Sequence, residues 1–379
     1  MVIRGAVGAV AVACLTGVLA CPASADPPSP APDPILPPLA LGQVVRIGPV
    51  AGTGTPTRDY GIGATDLCEF MEFPTELLQI CGDSFAGPGV GFGGWFSPVA
   101  LHVAGDSVDD PEGVRYTGVT GVDRPLLADP APPGSSQLPA GVVQINRQNY
   151  LLVTTTKNLV PASSRLVKAQ AGQGGWTTVP GSVRKAGYAD GRQTQISGYY
   201  NPIPTGESQT GWVYVVANNF DRSGPVVLYR ATPQSFTDRS SWQGWAAGPG
   251  GGWNQPPTPL WPDRVGEMNI REIDGKAVLS YFNASTGNME VRVAYDPTGL
   301  GTAPATTVVR AGEWPDPVES LPPPEDNRLA QPYGGYISPG STLDEVRVFV
   351  SQWNTAPRDR TPYRVIQFAV NPFKPWSEP

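Results

Sequence analysis

Apolar and polar residues alternate in short runs along most of the chain, and Gly, Pro, Asn and Asp separate the runs. Helical periodicity is nearly absent, so the pattern predicts an all-β fold. The runs recur in groups of four. The third run of each group is the clearest: LLQICGDSF ending at Phe85, NYLLVTTTKN at Asn158, GWVYVVANNF at Phe220, KAVLSYFN at Asn283 and EVRVFVSQWN at Asn354. Second runs start at Thr65, Ala140, Arg192, Glu267 and Tyr333. FSPVALHVA, SRLVKAQ, PVVLYRA, MEVRVAY and YRVIQFAV supply the fourth runs, and VVRIG, TTVVRAG, WTTVPG and WQGWAAG read as first runs.

A four-strand unit repeated five times, once in about 60–75 residues, predicts a five-bladed β-propeller with four-stranded blades. A long β-sandwich is the competing architecture, and the constant internal order of the groups argues against it. In a propeller one strand of each blade lines the axis. Placing the second runs there brings Asp66, Gln193, Gln195, Asn269, Arg271, Tyr333 and Tyr336 to the central channel, a polar and aromatic set suited to sugar hydroxyls and ring faces. Asp190 and Glu267 lie near the inner ends of the groups and read first as turn residues.

The N-terminus reads as an export signal: Arg4, an apolar stretch from Ala6 to Ala20, and the small-residue site Ala23-Ser24-Ala25 before Asp26. The apolar stretch is too short for a transmembrane segment. Cleavage near Ala25 would release a secreted or cell-envelope protein; the alternative is a lipid anchor at Cys21. The organisation expected is a signal over 1–25, a Pro-rich linker over 26–42, the propeller over 43–373 and a short tail over 374–379.

The chain carries a net charge of −7, which excludes nucleic acid as a natural partner and suits a neutral polymer such as a polysaccharide. Of four cysteines, Cys14 and Cys21 fall in the signal. Cys68 and Cys81 remain, and an oxidising compartment predicts a disulfide. His102 is the single histidine and lies in a strand-like run, so a metal site is not expected and no cofactor motif is present.

Asp66 and Asp83, like Cys68 and Cys81, are symmetric about the turn at Pro74-Thr75. An antiparallel hairpin of residues 65–73 and 77–85 would set each pair directly opposite, with Cβ atoms about 4.5–5.5 Å apart. Like charges so placed destabilise a sheet, which points to function, and paired carboxylates perform glycoside hydrolysis. Direct opposition favours a short separation and a retaining mechanism. Turn capping by the aspartates is the plainer reading.

TDL at 65–67, GDSF at 82–85, GGWFSPVAL at 93–101, RQTQISGYYNPIP at 192–204, MNIREIDGKAVLSYFN at 268–283 and YGGYISPGSTLDEVRVFVSQWN at 333–354 resemble blocks of a secreted actinobacterial domain family, formerly of unknown function, that includes endo-D-arabinanases. The resemblance runs from about residue 43 to 373. It implies a five-bladed propeller and cleavage of D-arabinan in mycobacterial arabinogalactan and lipoarabinomannan. It also implies that Asp66 and Asp83 are the catalytic acids. The alternatives are a propeller that binds envelope polysaccharide without turnover, and a protein-interaction scaffold.

Overall fold

The computed structural model describes residues 38–172, 174–312, 327–356 and 360–376. The expected signal, Cys21 and most of the Pro-rich linker lie outside them. Among the described residues no helix is long and apolar enough to cross a membrane.

The described chain is all-β. The strands are β1 (Val44–Gly52), β2 (Ala64–Glu72), β3 (Leu77–Phe85), β4 (Trp95–Phe96), β5 (Val99–Val103), β6 (Tyr116–Thr120), β7 (Ser136–Ile145), β8 (Gln148–Lys157), β9 (Val160–Lys168), β10 (Thr177–Thr178), β11 (Arg184–Lys185) and β12 (Gln195–Asn201). They continue as β13 (Trp212–Asn218), β14 (Val227–Ala231), β15 (Gln243–Ala246), β16 (Gly252–Trp253), β17 (Val265–Ile273), β18 (Lys276–Asn283), β19 (Asn288–Ala294), β20 (Ala305–Ala311), β21 (Arg328–Leu329), β22 (Pro332–Ile337), β23 (Val346–Trp353) and β24 (Tyr363–Val370).

Hydrogen bonding joins these strands as meanders of sequence neighbours: β2-β3-β5-β6, β7-β8-β9-β10, β12-β13-β14-β15, β17-β18-β19-β20 and β22-β23-β24-β1. A short parallel pair, Gly198 with Val143 and Tyr199 with Gln144, fuses the second and third meanders into one sheet. The second runs expected on the axis are the first strands of these meanders, and they adjoin one another: β2 packs on β7 and β22, β12 on β7 and β17, and β17 on β22.

The runs read as first in each group need correction. TTVVRAG, WTTVPG and WQGWAAG pair with the fourth run of the preceding group, as β20 on β19, β10 on β9 and β15 on β14. VVRIG pairs with the last strand of the chain, Val44 facing Val370. A strand turning back in a hairpin meets its sequence neighbour first, so the outer strand belongs to the group it follows. The first group's outer strand, β6, was not evident from the pattern.

Alternation gives each sheet two apolar faces, and every face is buried against the next sheet. Met71 and Ile80 pack with Leu151 and Val153, Leu152 and Leu166 with Val213 and Val227, and Val216 and Leu228 with Leu279 and Tyr281. Val278 and Val291 pack with Val348 and Ile366, while Phe70 and Val99 pack with Phe349 and Val365. No sheet buries both its faces alone.

The innermost strands bury polar groups, and one network joins all five. Glu69 on β2 accepts from the β7 backbone at Val142 and from Asn269 Nδ2 on β17 at 2.8 Å. Asn269 Oδ1 accepts from Ile337 N on β22 at 3.0 Å. Ser197 Oγ on β12 meets Asn269 Nδ2 at 3.2 Å and Ile270 N at 3.0 Å. Burial pushes the Glu69 carboxyl up to about 8 against the relief of these bonds.

Glu69 ionises near 4.5 in an unfolded chain, so between that pH and about 8 the folded protein holds a proton that the unfolded chain has released. Its contribution to stability is complete at the acid end and declines as pH rises through this interval. Glu69→Gln keeps the shape of the neutral acid. It should flatten the fall in Tm between about pH 5 and pH 8. Parallel Tm profiles for variant and wild type would show that Glu69 does not carry that proton.

Candidate active site

The β2-β3 hairpin forms where expected, closing at Phe73–Glu76 with Glu72 opposite Leu77. Its register about Pro74-Thr75 holds at both ends, with Thr65 facing Ser84 and Phe70 facing Gln79. Between them it breaks. Leu67 pairs with Cys81, so neither Asp66 with Asp83 nor Cys68 with Cys81 forms a directly opposed pair. This corrects the strict alignment expected from symmetry, and with it the basis for expecting retention.

The physical reason is a bulge. Leu67 and Cys68 adopt positive φ angles of 62° and 72°, a conformation that costs a residue with a Cβ about 1–3 kcal/mol. The backbone groups displaced there find side-chain partners: Ser351 Oγ accepts from Leu67 N at 2.8 Å, and Gln79 Nε2 donates to Cys68 O at 3.0 Å. Gly82 gives the Asp66 carboxyl its place, since a Cβ there would overlap Asp66 Oδ1. The Cys68–Cys81 disulfide ties the two strands beside the bulge.

Asp66 and Asp83 both line one cavity of about 580 Å³. Glu267, Arg222, Tyr333 and Tyr363 share it, with apolar wall from Phe220, Phe282 and Trp353. Tyr333 donates to Asp66 Oδ2 at 2.8 Å. Burial first, then the neighbouring Asp83 charge and more weakly Glu267, push Asp66 up to about 8, against hydrogen bonds from Tyr363 and Tyr333. Asp83 is more open. Burial raises it too, but Trp95 Nε1 donates to its Oδ1 at 2.9 Å and Ser97 adds a second bond, both favouring the ionised form.

Glu267 takes Arg222 Nη2 at 2.6 Å and Nε at 3.2 Å. The Arg222 guanidinium also lies over the Phe282 and Tyr333 rings, 5.1 and 5.2 Å from their centres. The cation is thus committed to Glu267 and to ring faces, and it makes no ion pair with Asp66. The arrangement holds two carboxyls in one cavity under unlike conditions, one buried and proton-holding, the other hydrogen-bonded and nearer solvent. That division suits general acid catalysis paired with a carboxylate.

The residues expected to bind substrate divide. Tyr333 lines this cavity, whereas Asn269 and Arg271 line a smaller one of about 210 Å³ further along β2, beside Glu69 and Glu72. Arg271 Nη1 pairs with Glu72 Oε2 at 2.8 Å. Gln193, Gln195 and Tyr336 are buried and line neither cavity. Of the reserve acids, Glu267 joins the site, while Asp190 sits in a turn whose carbonyl accepts from Asn219. His102 on β5 pairs with Glu76 in the hairpin turn and Thr120 on β6. Among the described residues no group of His, Cys, Asp and Glu forms a metal site. Arg222, Tyr363, Trp95 and Ser97 escaped the sequence reading. The clearest signal was for Trp95, in the aromatic motif GGWF between two glycines and a proline.

The family model described as Domain of unknown function (DUF4185) matches residues 51–369, and the chain belongs to that family. An uncharacterised 35.9 kDa protein in the asd 3′ region of Mycolicibacterium smegmatis is 74% identical over 333 residues, covering 88% of this chain and 100% of the relative. A Bacteroides ovatus protein provisionally named a hydrolase shares the fold, with a TM-score of 0.54 at 14% identity over 83% of this chain and 87% of that one. The alpha-L-arabinofuranosidase PaAbf62A of Podospora anserina aligns with a TM-score of 0.49 at 12% identity, over 87% and 97% of the two chains.

The disulfide closes a short loop around the hairpin turn. A Cys68→Ala/Cys81→Ala variant should lose about 3 kcal/mol of stability in urea titration. A loss below about 0.5 kcal/mol would show that the bulge is held without the covalent tie.

Proposed function

We propose that this DUF4185 chain is an exported, endo-acting glycoside hydrolase on a five-bladed propeller, cutting D-arabinofuranosyl linkages in mycobacterial envelope arabinan. The observation that carries this reading is the placement of Asp66 and Asp83 in one cavity, Asp66 buried against Tyr333 and Asp83 more open and bonded to Trp95. The meanders are then the blades, β1 closes the last one, residues 1–25 are the export signal, 26–42 the linker and 43–373 the catalytic domain. The polymer is named from the motif resemblance, and the mycobacterial source of the 74%-identical relative supports it.

Asp66 keeps its proton to about pH 8 and gives it to the glycosidic oxygen as the bond to the anomeric carbon breaks. The sugar passes through an oxocarbenium-like transition state. Asp83 provides the carboxylate facing that carbon. It either attacks the carbon or takes a proton from the attacking water, and the anomeric configuration of the first product, read by proton NMR, separates the two. Glu267 pairs with Arg222, whose guanidinium lies over the Tyr333 ring beside Asp66. The Glu267 charge also helps to keep Asp66 protonated.

Asp66→Asn and Asp83→Asn should each lower the release of reducing ends from purified mycobacterial arabinan by at least about 10²-fold while the protein stays folded. Near-native turnover in both variants would remove the pair from the mechanism. Binding of arabinan without turnover by the wild type would make the chain a polysaccharide-binding module instead. Glu267→Gln removes a charge that raises Asp66, so the alkaline limb of the pH–rate profile should move to lower pH. An unmoved limb would show that Glu267 does not tune the acid.

A further inference from the structure

We propose that the exposed face of Trp95 is a sugar-stacking subsite beside Asp83, taking a neutral ring of the polymer next to the bond that is cut. The inference rests on the hydrolase reading and deepens it. Trp95 is 46% exposed, although indole is a large apolar group. Its polar edge is spent inward, because Nε1–H donates to Asp83 Oδ1 at 2.9 Å. One hydrogen bond therefore fixes the ring's orientation against the carboxylate and leaves its surface to solvent.

The backbone beneath the ring is built to keep it there. Trp95 and Phe96 form β4, pairing with Phe85 and Ser84, the residues that directly follow Asp83. The hairpin before β4 closes through Ala86 N to Gly94 O and Gly87 N to Phe92 O, both at 2.9 Å. Its glycines are needed for the close packing: a Cβ on Gly87 would stand 2.6 Å from Phe92 Cβ, and one on Gly93, at φ 74°, would stand 2.9 Å from Gly87 N. Phe92 is itself 46% exposed on the same hairpin.

Sugar rings present C–H faces that pack on aromatic rings, and an indole held by its own N–H supplies such a face without an ordering cost at binding. An uncharged platform selects no ionic substituent. An endo-acting site also needs sugar contacts beyond the point of cleavage, and Trp95, outside the cavity wall but bonded to Asp83 within it, provides one here.

Two substitutions separate stacking from support of Asp83. Trp95→Phe keeps an aromatic face and loses the donor; Trp95→Ala loses both. Each is made in the wild-type chain for kinetics and in Asp66→Asn for binding of a D-arabinofuranosyl oligosaccharide by calorimetry. Trp95→Ala should raise KM and weaken binding by about 10-fold. Trp95→Phe should hold both within about 3-fold, while the acidic limb of kcat moves to higher pH because Asp83 has lost a donor. Native KM and binding in Trp95→Ala would overturn the subsite, as would equal losses of binding in both variants, which would leave Trp95 only a support for Asp83. A wild-type protein that neither cleaves nor binds arabinan would instead sink the hydrolase reading on which the inference stands.

Discussion

The bond between Glu69 and Asn269 is the constraint around which the inner strands are arranged. The strands β2, β7, β12, β17 and β22 adjoin one another, and polar groups buried between them need partners. A buried carboxyl accepting from β7 and β17, and an amide reaching β12 and β22, join the five in one connected set. An apolar plug would fill the same space, but it would leave Ile337 N and Val142 N without acceptors. Leaving a buried donor unsatisfied costs about 1–3 kcal/mol.

The same strand carries the site. Asp66 lies three residues before Glu69, and both carboxyls are pushed up to about 8 chiefly by burial. Their surroundings make them different instruments. Glu69 is held by an amide and a backbone donor at the wall of the smaller cavity, whereas Asp66 opens onto the larger cavity that also holds Asp83. The strained bulge at Leu67 and Cys68 separates the two environments, and Ser351, Gln79 and the disulfide over-determine it. Strain held by several independent supports at a cavity of acids is the pattern expected of a catalytic site. Arg222 completes it by pairing with Glu267 rather than with Asp66, whose burial keeps its carboxyl raised.

Much of this was legible in the chain because it depends on local periodicity. The hairpin of 65–73 and 77–85 appears as 64–72 and 77–85, and its disulfide forms, although the direct opposition expected of the two acids does not. What was hidden depends on distant partners. The bulge is set by Ser351 and the Asp66 donor by Tyr333, both more than 260 positions away along the chain. Glu69, in the run TDLCEFMEF, was not singled out, and its partners Val142 and Asn269 lie far along the chain. Gln193, Gln195 and Tyr336 have the character of ligand-binding residues, yet they are buried, Gln193 just before β12 and the others on inner strands, and line neither cavity. Composition identified polar residues near the axis without telling which of them face open space.

The account turns on Asp66 remaining a carboxylic acid at neutral pH beside Asp83. Infrared difference spectra of the folded protein, titrated from about pH 5 to pH 10 for wild type and Asp66→Asn, test this directly. A protonated carboxyl band that disappears near pH 8 and is absent from the variant is the predicted result. Glu69 titrates in the same range and stays in both spectra, so the difference isolates Asp66. Identical spectra for the two proteins above about pH 5 would mean that Asp66 is already ionised there, near the ordinary carboxylate range, and that the cavity holds no general acid at this position.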